Sequence, residues 1–502
     1  MEGTRKSILN QIMVWVASPQ ERGNAPQNSN TYWLYGLPGT GKTVLAHSIC
    51  EMLHRQRYLA GAFFCRRDDS DLSEIKNIIP TLIYKLAVIF PPFRGVVAGC
   101  LRNDPNLTSM SMKYSLVLDF IRLVPRHPRH ALVFVIDALD ECGDHLSRPG
   151  VLRALTDAAA QTSWLKIIIT SRPVDDIQRF FHTPTQSSYL QYDLALDEEA
   201  TSDLRTFALA RFHRVASKRY LPLPWPEPSL FNAVVTQAAG LFIFIKTIAL
   251  ALEHSKDPTA FLEAALQDPA GTSPGWTSLY GLYSSILKSR IIHSDAEFQR
   301  LIGVVLATAP YRALCEETLA ALGGVEPNLI KIWVDDLGSL LYRDEGANGG
   351  VRVRHMSVSD FFVSDHCYYR VNLQDAHVQL GIACLKTMVD QLRFNICKLE
   401  DSRLANTDVK DLPSRIKQYI SDPLQYSSLH WSSHLCSTLD NGDQHVLGSL
   451  KEFFEGLYPL FWIEVLSIMG MVPTGAPSLR RLISSVKVSK APFYFVVSCV
   501  HG

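Results

Sequence analysis

The sequence predicts a doubly wound α/β fold of the P-loop NTPase class, followed by a helical domain, a winged-helix domain and an α-helical C-terminal region. Three observations carry this expectation. The apolar run Tyr32–Tyr35 breaks into Gly36-Leu37-Pro38-Gly39-Thr40-Gly41-Lys42-Thr43, which fits G-x-x-x-x-G-K-[ST], and continues from Val44 in a helical pattern. Two more apolar runs, at 131–136 and, broken only by Lys166, at 164–169, end abruptly in polar residues, as strands covered on both faces of a parallel sheet do. Helical patterns alternate with these strands as far as about residue 220.

A chain of 502 residues has room for about three domains, each with its own core. Its 49 lysines and arginines balance 49 aspartates and glutamates, so net charge recommends neither nucleic acid nor an anionic membrane as partner. The ten cysteines are scattered, with no C-x-x-C and no Cys/His group at zinc spacing, which reads as reduced thiols in a cytoplasmic protein. The basic N-terminus leads into apolar residues at helical spacing, unlike a signal peptide. The longest apolar stretch, Leu241 to Leu252, is interrupted by Lys246 and is too short for a bilayer.

The octamer states its chemistry through its spacing. Gly36, Gly39 and Gly41 let the backbone turn tightly enough for successive N–H groups to face a polyphosphate. Lys42 then reaches the β- and γ-phosphates and the Thr43 hydroxyl ligates Mg²⁺, while Pro38, Thr40 and Val44 complete the nucleotide-binding segment.

Thr4 to Val16 puts Ile8, Ile12 and Trp15 on one helical face, and the polar run Ser18 to Asn30 is a loop. Ala60 to Cys65 reads as a second buried strand. The charged cluster Arg66 to Ser70 follows it at the ligand-facing edge of the sheet, either as a solvated turn or as part of the site. Helical patterns fill Leu72 to Phe90, ended by Pro91-Pro92, and again Met110 to Leu123. The strand Ala131 to Ile136 ends in Asp137-Ala138-Leu139-Asp140-Glu141, where a central strand can deliver a carboxylate to the Mg²⁺ shell. Asp137 is the metal-side acid. Asp140 and Glu141 can orient or deprotonate an attacking water, which a hydrolase needs and a simple phosphate binder does not. A helix over Gly150 to Gln161 leads to the strand Trp164 to Ser171, whose tip carries Arg172, placed to sense or stabilise a γ-phosphate. A last strand, Tyr189 to Leu194, precedes a helix opening at Asp197.

Pro222 to Pro228, with four prolines in seven residues, marks the clearest boundary. Beyond it the pattern is helical to about residue 340, and Gly240 followed by the apolar Leu241 to Ile245 suggests a helix buried between domains. Leu340 to Arg343 and Val351 to Arg354 flank a turn at Glu345 to Gly350 as a hairpin, and a helix starts near His355. Helices, hairpin and helix in that order outline a winged-helix module, but Asp360 among aromatics on the last helix argues against DNA reading. From Asp375 on the pattern is helical without a repeat period, and Phe493 to Val497 closes the chain on apolar residues as if cut. The expected domains are an N-terminal helix and lead-in over 1–25, a nucleotide-binding domain over 26–220, a helical domain over 221–300, a winged helix over 301–370, and a truncated helical region over 371–502.

The ordered set GLPGTGKT at 36–43, LVFVIDALDEC at 132–142, KIIITSRP at 166–173, GLFIFI at 240–245 and RHMSVSDFF at 354–362 resembles the NACHT class of STAND nucleoside triphosphatases. Within that class it is similar to the fungal NOD-like receptor type with a nephrocystin-like NACHT module. The resemblance implies that Lys42 and Thr43 hold phosphate and Mg²⁺, that Asp137 is the strand-end acid, and that Asp140 activates water with Glu141 beside it. It further implies that Ala138 is the small residue placed after the first acid, that Arg172 is a sensor, and that His355 holds the β-phosphate of a bound diphosphate and locks a closed state. The family's His-x-Ser-Phe-x-Asp-Phe-Leu stands here with Val358 and Phe362 in the aromatic and leucine places, and a histidine that only caps its helix is the alternative for His355. Leu424 to Trp431 resembles a helical segment usual in the group.

The same resemblance implies ATP/ADP or GTP/GDP with Mg²⁺, slow hydrolysis, self-association on activation, and a signalling role in non-self recognition. Nucleic acid and membrane are not implied as partners. Effector and sensor-repeat domains usual in the group are expected to be missing from this chain or supplied by partners. Two rival expectations stand beside the switch. A cycling AAA-like remodelling ATPase would need an arginine finger and a substrate pore, for which the sequence offers no candidate. A non-hydrolysing nucleotide-binding scaffold would have no use for the three acids.

Overall fold

The computed structural model describes residues 5–18, 29–103, 119–121, 130–183, 189–195, 199–267, 276–291, 295–345, 349–401, 404–436 and 444–488. Most of the loop at 18–30, most of the helix expected over 110–123, the helix opening at Asp197, the middle of the hairpin turn and the closing apolar run lie outside them. The chain divides into two compact units, residues 1–285 and 286–502.

The first unit begins with α1 (Lys6–Ala17), β1 (Thr31–Tyr35), α2 (Lys42–Arg55), β2 (Leu59–Phe64), α3 (Ile78–Ile89) and α4 (Pro91–Asn103). It continues through β3 (Leu132–Asp137), α5 (Arg148–Ala160), β4 (Leu165–Ser171), α6 (Asp175–His182) and β5 (Leu190–Asp193). The five strands form one parallel sheet in the order β2-β3-β4-β1-β5. Strands β3 and β4 are buried along their whole length because helices cover both faces. On one face Trp33, Phe134, Ile136, Ile167 and Ile169 pack with α3, α5 and α6, and on the other Tyr32, Leu34, Val133, Val135 and Ile168 pack with α1 and α2. Each fully buried apolar side chain of this size contributes about 1.5–3 kcal/mol, so the alternation of faces along each strand fixes its register.

One charged residue sits inside that apolar pattern. Lys166 on β4 is 3% exposed, and its ammonium donates to the carbonyls of Trp15, Val16 and Ser18 at the C-terminal end of α1. Carbonyls left over at a helix end favour a cation, and this one ties the first helix to the sheet.

After the sheet come α7 (Ala200–Arg219), α8 (Pro228–Ala238), α9 (Phe242–Glu253) and α10 (Pro258–Gln267). The proline-rich segment 222–228 joins α7 to α8 within this unit. The apolar run after Gly240 is the buried start of α9, which packs on α7. Helix α11 (Trp276–Arg290) crosses the division at Ser285.

The second unit contains α12 (Asp295–Thr308), α13 (Glu316–Gly323) and α14 (Pro327–Asp336), then β6 (Leu341–Asp344) and β7 (Gly350–Val353) as an antiparallel hairpin, then α15 (Met356–Val363). Phe298 centres this group, with the rings of Trp333, Phe362 and Tyr369 against it. Next follow α16 (Leu373–Gln391), α17 (Leu412–Tyr419), α18 (Asp422–Cys436), α19 (Gln444–Glu455), α20 (Tyr458–Ile468) and α21 (Gly475–Val488). Helices α16 and α18 pack closely because Gly381 leaves room for Leu435, whose Cδ2 would stand 2.4 Å from a Cβ there. Small Ser427, Ser428 and Ser432 are buried on α18, and the buried His434 is bonded to His377 Nδ1 and Tyr426 Oη, each at 2.8 Å. Among the described residues no helix is long and apolar enough to cross a membrane.

Candidate functional site

The strand order decides where chemistry collects. With β4 between β1 and β3, the carboxyl ends of all three emerge side by side, and Tyr35 pairs with Ser171 as Ile136 pairs with Ile169. Ligands of open parallel sheets bind beyond such ends. There the structure gathers the octamer after β1, the acids after β3 and the Thr170-Ser171-Arg172 tip of β4.

The loop between β1 and α2 turns through left-handed glycines, with φ of 82° at Gly39 and 91° at Gly41. Gly39 meets a second constraint. A Cβ on it would stand 2.1 Å from Ile243 Cγ2 at the start of α9, and its carbonyl accepts the Ile243 N–H at 3.3 Å. Only glycine satisfies both the dihedral and the packing.

Lys42 is 8% exposed, and its Nζ donates to the carbonyls of Gly36 and Leu37 at 2.8 and 2.9 Å. Burial pushes its pKa down to about 8; Asp140, Asp137 and Glu141 pull upward and Arg172 downward. Asp137, 1% exposed, accepts from Thr170 Oγ1 at 2.5 Å and from the Thr43 hydroxyl. Burial raises its pKa above the ordinary value, against the two hydroxyl bonds and the charges of Lys42 and His47. Thr170 Oγ1 also accepts the Ala138 N–H at 2.9 Å, so one hydroxyl sets both the carboxylate and the turn after it. Ala138 has φ 53°, a left-handed conformation that costs about 1 kcal/mol outside glycine and worsens with a bulkier side chain.

The turn Leu139–Glu141 carries the remaining acids. Asp140, 5% exposed, accepts the Arg172 N–H at Oδ1 (2.8 Å) and faces Arg172 Nε from Oδ2 at 3.1 Å. Burial, with Asp140 adding to it, raises Glu141 to about 7 against Arg172, Arg67 and a hydrogen bond from the Arg67 backbone. Arg66-Arg67 is therefore more than a solvated turn at the backbone level, although Arg66 itself pairs outward with Asp68 at 2.9 Å. Arg148 braces the turn from behind, donating to the carbonyls of Cys142, Gly143 and Asp140 while pairing with Asp176 at 2.7 Å.

These donors fit a magnesium ion. One hydroxyl and one buried carboxylate, both hard oxygen ligands in mutual contact, match an ion that keeps waters and takes its other ligands from a substrate's phosphates. Among the described residues no three His, Cys, Asp or Glu side chains form a metal cage.

His355 lies in the second unit, half-buried, as the N-cap of α15. Its Nδ1 accepts the Ser357 N–H at 3.1 Å and lies 2.7 Å from Ser357 Oγ. Of the other expected residues, Gly36 bonds the Ser171 carbonyl at 3.4 Å, Thr40 Oγ1 bonds the Leu37 carbonyl at 2.8 Å, and Val44 is exposed on the first turn of α2. Pro38 lies in the loop itself. Sequence reasoning missed Thr170, Arg148 and Arg67 as partners. Thr170 left a signal as a hydroxyl at a strand tip beside an acid-bearing strand, and Arg67 left one as part of the charged cluster at the ligand-facing edge; Arg148 left none.

Residues 9–172 match the family model described as Nephrocystin 3, N-terminal. The chain is 25% identical over 525 aligned residues to the vegetative incompatibility protein HET-E-1 of Podospora anserina. That alignment covers 96% of this chain and 36% of the relative, so the chain spans about a third of the length of the protein it matches. Both findings agree with the NACHT-type module that the motifs resemble. Among solved structures, a Walker-type ATPase of Pyrococcus abyssi aligns with TM-score 0.33 and 14% identity over 71% of this chain and 95% of that one. The Orc1 protein of Aeropyrum pernix in complex with DNA aligns with TM-score 0.28 and 15% identity over 72% and 92%. At scores this low neither likeness bears on the site.

The contact between Gly39 and Ile243 yields a direct test. Gly39→Ala is expected to lower stability by about 2 kcal/mol or more, through strain at positive φ and the clash with Ile243. In a double-mutant cycle with Ile243→Ala, the two changes should couple by about 1 kcal/mol, because the second removes the contact with Cγ2 but leaves its own Cβ at 2.9 Å and the strain at positive φ. Strict additivity in urea unfolding would show that α9 does not seat on the loop.

Proposed function

From a nephrocystin-like NACHT-type module we propose a cytoplasmic signalling switch that binds ATP or GTP with Mg²⁺, hydrolyses it slowly and couples its nucleotide state to domain opening and self-association. The observation that carries the reading is the meeting of Lys42, Thr43, Asp137, Asp140 and Arg172 at one edge of the sheet. Lys42 exchanges its two loop carbonyls for phosphate oxygens. Thr43 and Asp137 would hold the magnesium ion, which neutralises the phosphate charge when bound. Asp140 keeps Arg172 in place, and Glu141, with a pKa near neutrality, is the better-matched acceptor for the proton of an attacking water. His355 closes the diphosphate state. Effector and sensor segments would come from partners or from chain beyond this sequence, and the name of the Podospora relative supports a role in non-self recognition. No membrane or nucleic-acid partner is proposed.

Nucleotide released by denaturation from the purified protein is expected to be ADP or GDP. Lys42→Ala should abolish its retention, and His355→Ala should release it while leaving triphosphate binding intact. Such a switch responds only to the difference in affinity between its two states, so equal retention by His355→Ala and the parent removes the lock.

Glu141→Gln is expected to bind nucleotide like the parent and to lose hydrolysis by about a hundredfold or more. In the parent, turnover should rise as pH increases through about 7, where Glu141 becomes a carboxylate. Single-turnover rates that are unchanged in the variant assign the water to Asp140 instead.

Lys42 gives a second pH signature. Its folded pKa, about 8, lies below the ordinary 10.5, so the cost of burying its charge is present below pH 8 and is relieved as pH rises toward 10.5. A bound polyphosphate restores the charge. Nucleotide affinity should therefore be flat below pH 8 and about tenfold weaker at pH 9 than at pH 7, with proton uptake in calorimetry. A flat profile from pH 7 to 9 would contradict a protonated Lys42 on the phosphates.

A further inference from the structure

Arg5 is a charged residue that neither the motifs nor the chemistry above use, yet it is 4% exposed. Its Nη2 donates to the carbonyl of Thr40 in the phosphate loop at 3.2 Å, and its Nη1 to the carbonyl of Leu194, just past β5, at 3.5 Å. The guanidinium lies 5.7 Å from the centroid of the Phe242 ring at the start of α9. Its own N–H donates to Asp203 Oδ2 on α7 at 2.6 Å. One side chain thus reaches the loop, the sheet edge and α9, while its backbone reaches α7. It does so from a left-handed backbone, with φ 59° and ψ 32° and no side-chain cap on the helix it precedes. An arginine keeps that conformation only where its surroundings over-determine it, and the cap explains none of it.

We infer that Arg5 is a positioning residue of the phosphate cradle. In a planar trans peptide the carbonyl of one residue and the N–H of the next point in opposite directions. Holding the Thr40 carbonyl outward therefore turns the Gly41 N–H inward, to the side where a polyphosphate is bound. The Ile243 N–H holds the preceding carbonyl, that of Gly39, while the Thr40 N–H of that peptide is donated to the Leu37 carbonyl at 3.4 Å, so the Gly41 N–H is the one these outside bonds leave aimed inward. A glycine-rich loop has little intrinsic preference for one peptide orientation, and these outside bonds supply it before any ligand arrives. Arg5 acts through Thr40 and Gly41, not by touching the nucleotide.

The inference rests on the nucleotide-binding reading, and the test separates the two. Binding of Mg–ATP, Mg–GTP and inorganic tripolyphosphate is measured by calorimetry on the full chain and on its Arg5→Ala and Arg5→Lys variants, with thermal melting of each ligand-free protein. Arg5→Ala is expected to lose at least tenfold in affinity for the bound nucleoside triphosphate and, in the same proportion, for tripolyphosphate, which has no base or sugar. Arg5→Lys keeps the charge and the contact with Phe242 but brings one donor head for two carbonyls, and should fall between the parent and the alanine variant. A folded Arg5→Ala protein that binds as the parent does overturns the inference. So does a loss confined to the nucleoside triphosphate, which would make Arg5 a contact for base or sugar. Should Arg5→Ala fail to fold, Arg5→Lys decides, and parental affinity there overturns the inference. A parent chain that binds none of the three ligands overturns the nucleotide reading, and this inference with it.

Discussion

A lysine ammonium buried at the edge of a parallel sheet cannot be left to itself. Lys42 is nearly inaccessible to water, and taking such a charge out of solvent costs several kcal/mol unless dipoles or opposite charges surround it. Much of the surrounding architecture answers that demand. The loop folds back so that two of its own carbonyls accept the ammonium, and β3 ends at an acid that lies within its field. The compensation is incomplete, since Lys42 is still pushed toward its neutral form. A ligand rich in negative charge completes it, so the same burial that strains the ligand-free site supplies affinity for phosphate.

The acids after β3 show how neighbouring carboxylates come to differ. Asp137 is fixed by two hydroxyls, Asp140 by two groups of one arginine, and Glu141 chiefly by burial beside another acid. Their positions along the chain are nearly adjacent, but their environments are not. A hydroxyl-bound carboxylate suits a cation, an arginine-bound one suits alignment, and one with a raised pKa suits proton transfer. Arg172 meets Asp140 with both its N–H and its Nε, so any turn of that guanidinium toward a phosphate is coupled to the acid beside it.

What could be read from the sequence divides along a physical line. Buried parallel strands are legible because both faces are largely apolar: Ala131–Ile136 and, but for Lys166, Trp164–Ile169 show no polar face, and each run ends within two residues of its strand's end. The octamer is legible because glycine and lysine at fixed spacing have one economical explanation. Contacts that depend on side chains brought together from distant parts of the chain are not legible. Nothing near residue 5 announces a partner at residues 40, 194 or 203, and nothing at Arg148 points to the carbonyls behind the acidic turn. Lys166 is an intermediate case. A lysine within Leu165–Ile169 signals a buried cation, but not that its partner is the end of α1. The charged cluster after β2 was legible as a turn, whereas the role of the Arg67 backbone beside Glu141 depends on β2 lying next to β3.

His355 offered two readings, a helix cap or a phosphate ligand, and the structure describes it as the cap. The Ser357 backbone N–H can only donate, so the Nδ1 that receives it carries no proton. A neutral imidazole that is bare at Nδ1 is protonated at Nε2. Capping therefore fixes the tautomer, with the ring proton on Nε2. The hairpin β6–β7 delivers the chain directly into this cap, with Val353 paired to Leu341 two residues before it. A rigid lead-in, a cap that sets the proton and a helix that starts at once leave the ring few degrees of freedom. A histidine that only capped would tolerate replacement by asparagine or serine, which cap at least as well. Only a ring can place a donor on its far side while its near side is occupied.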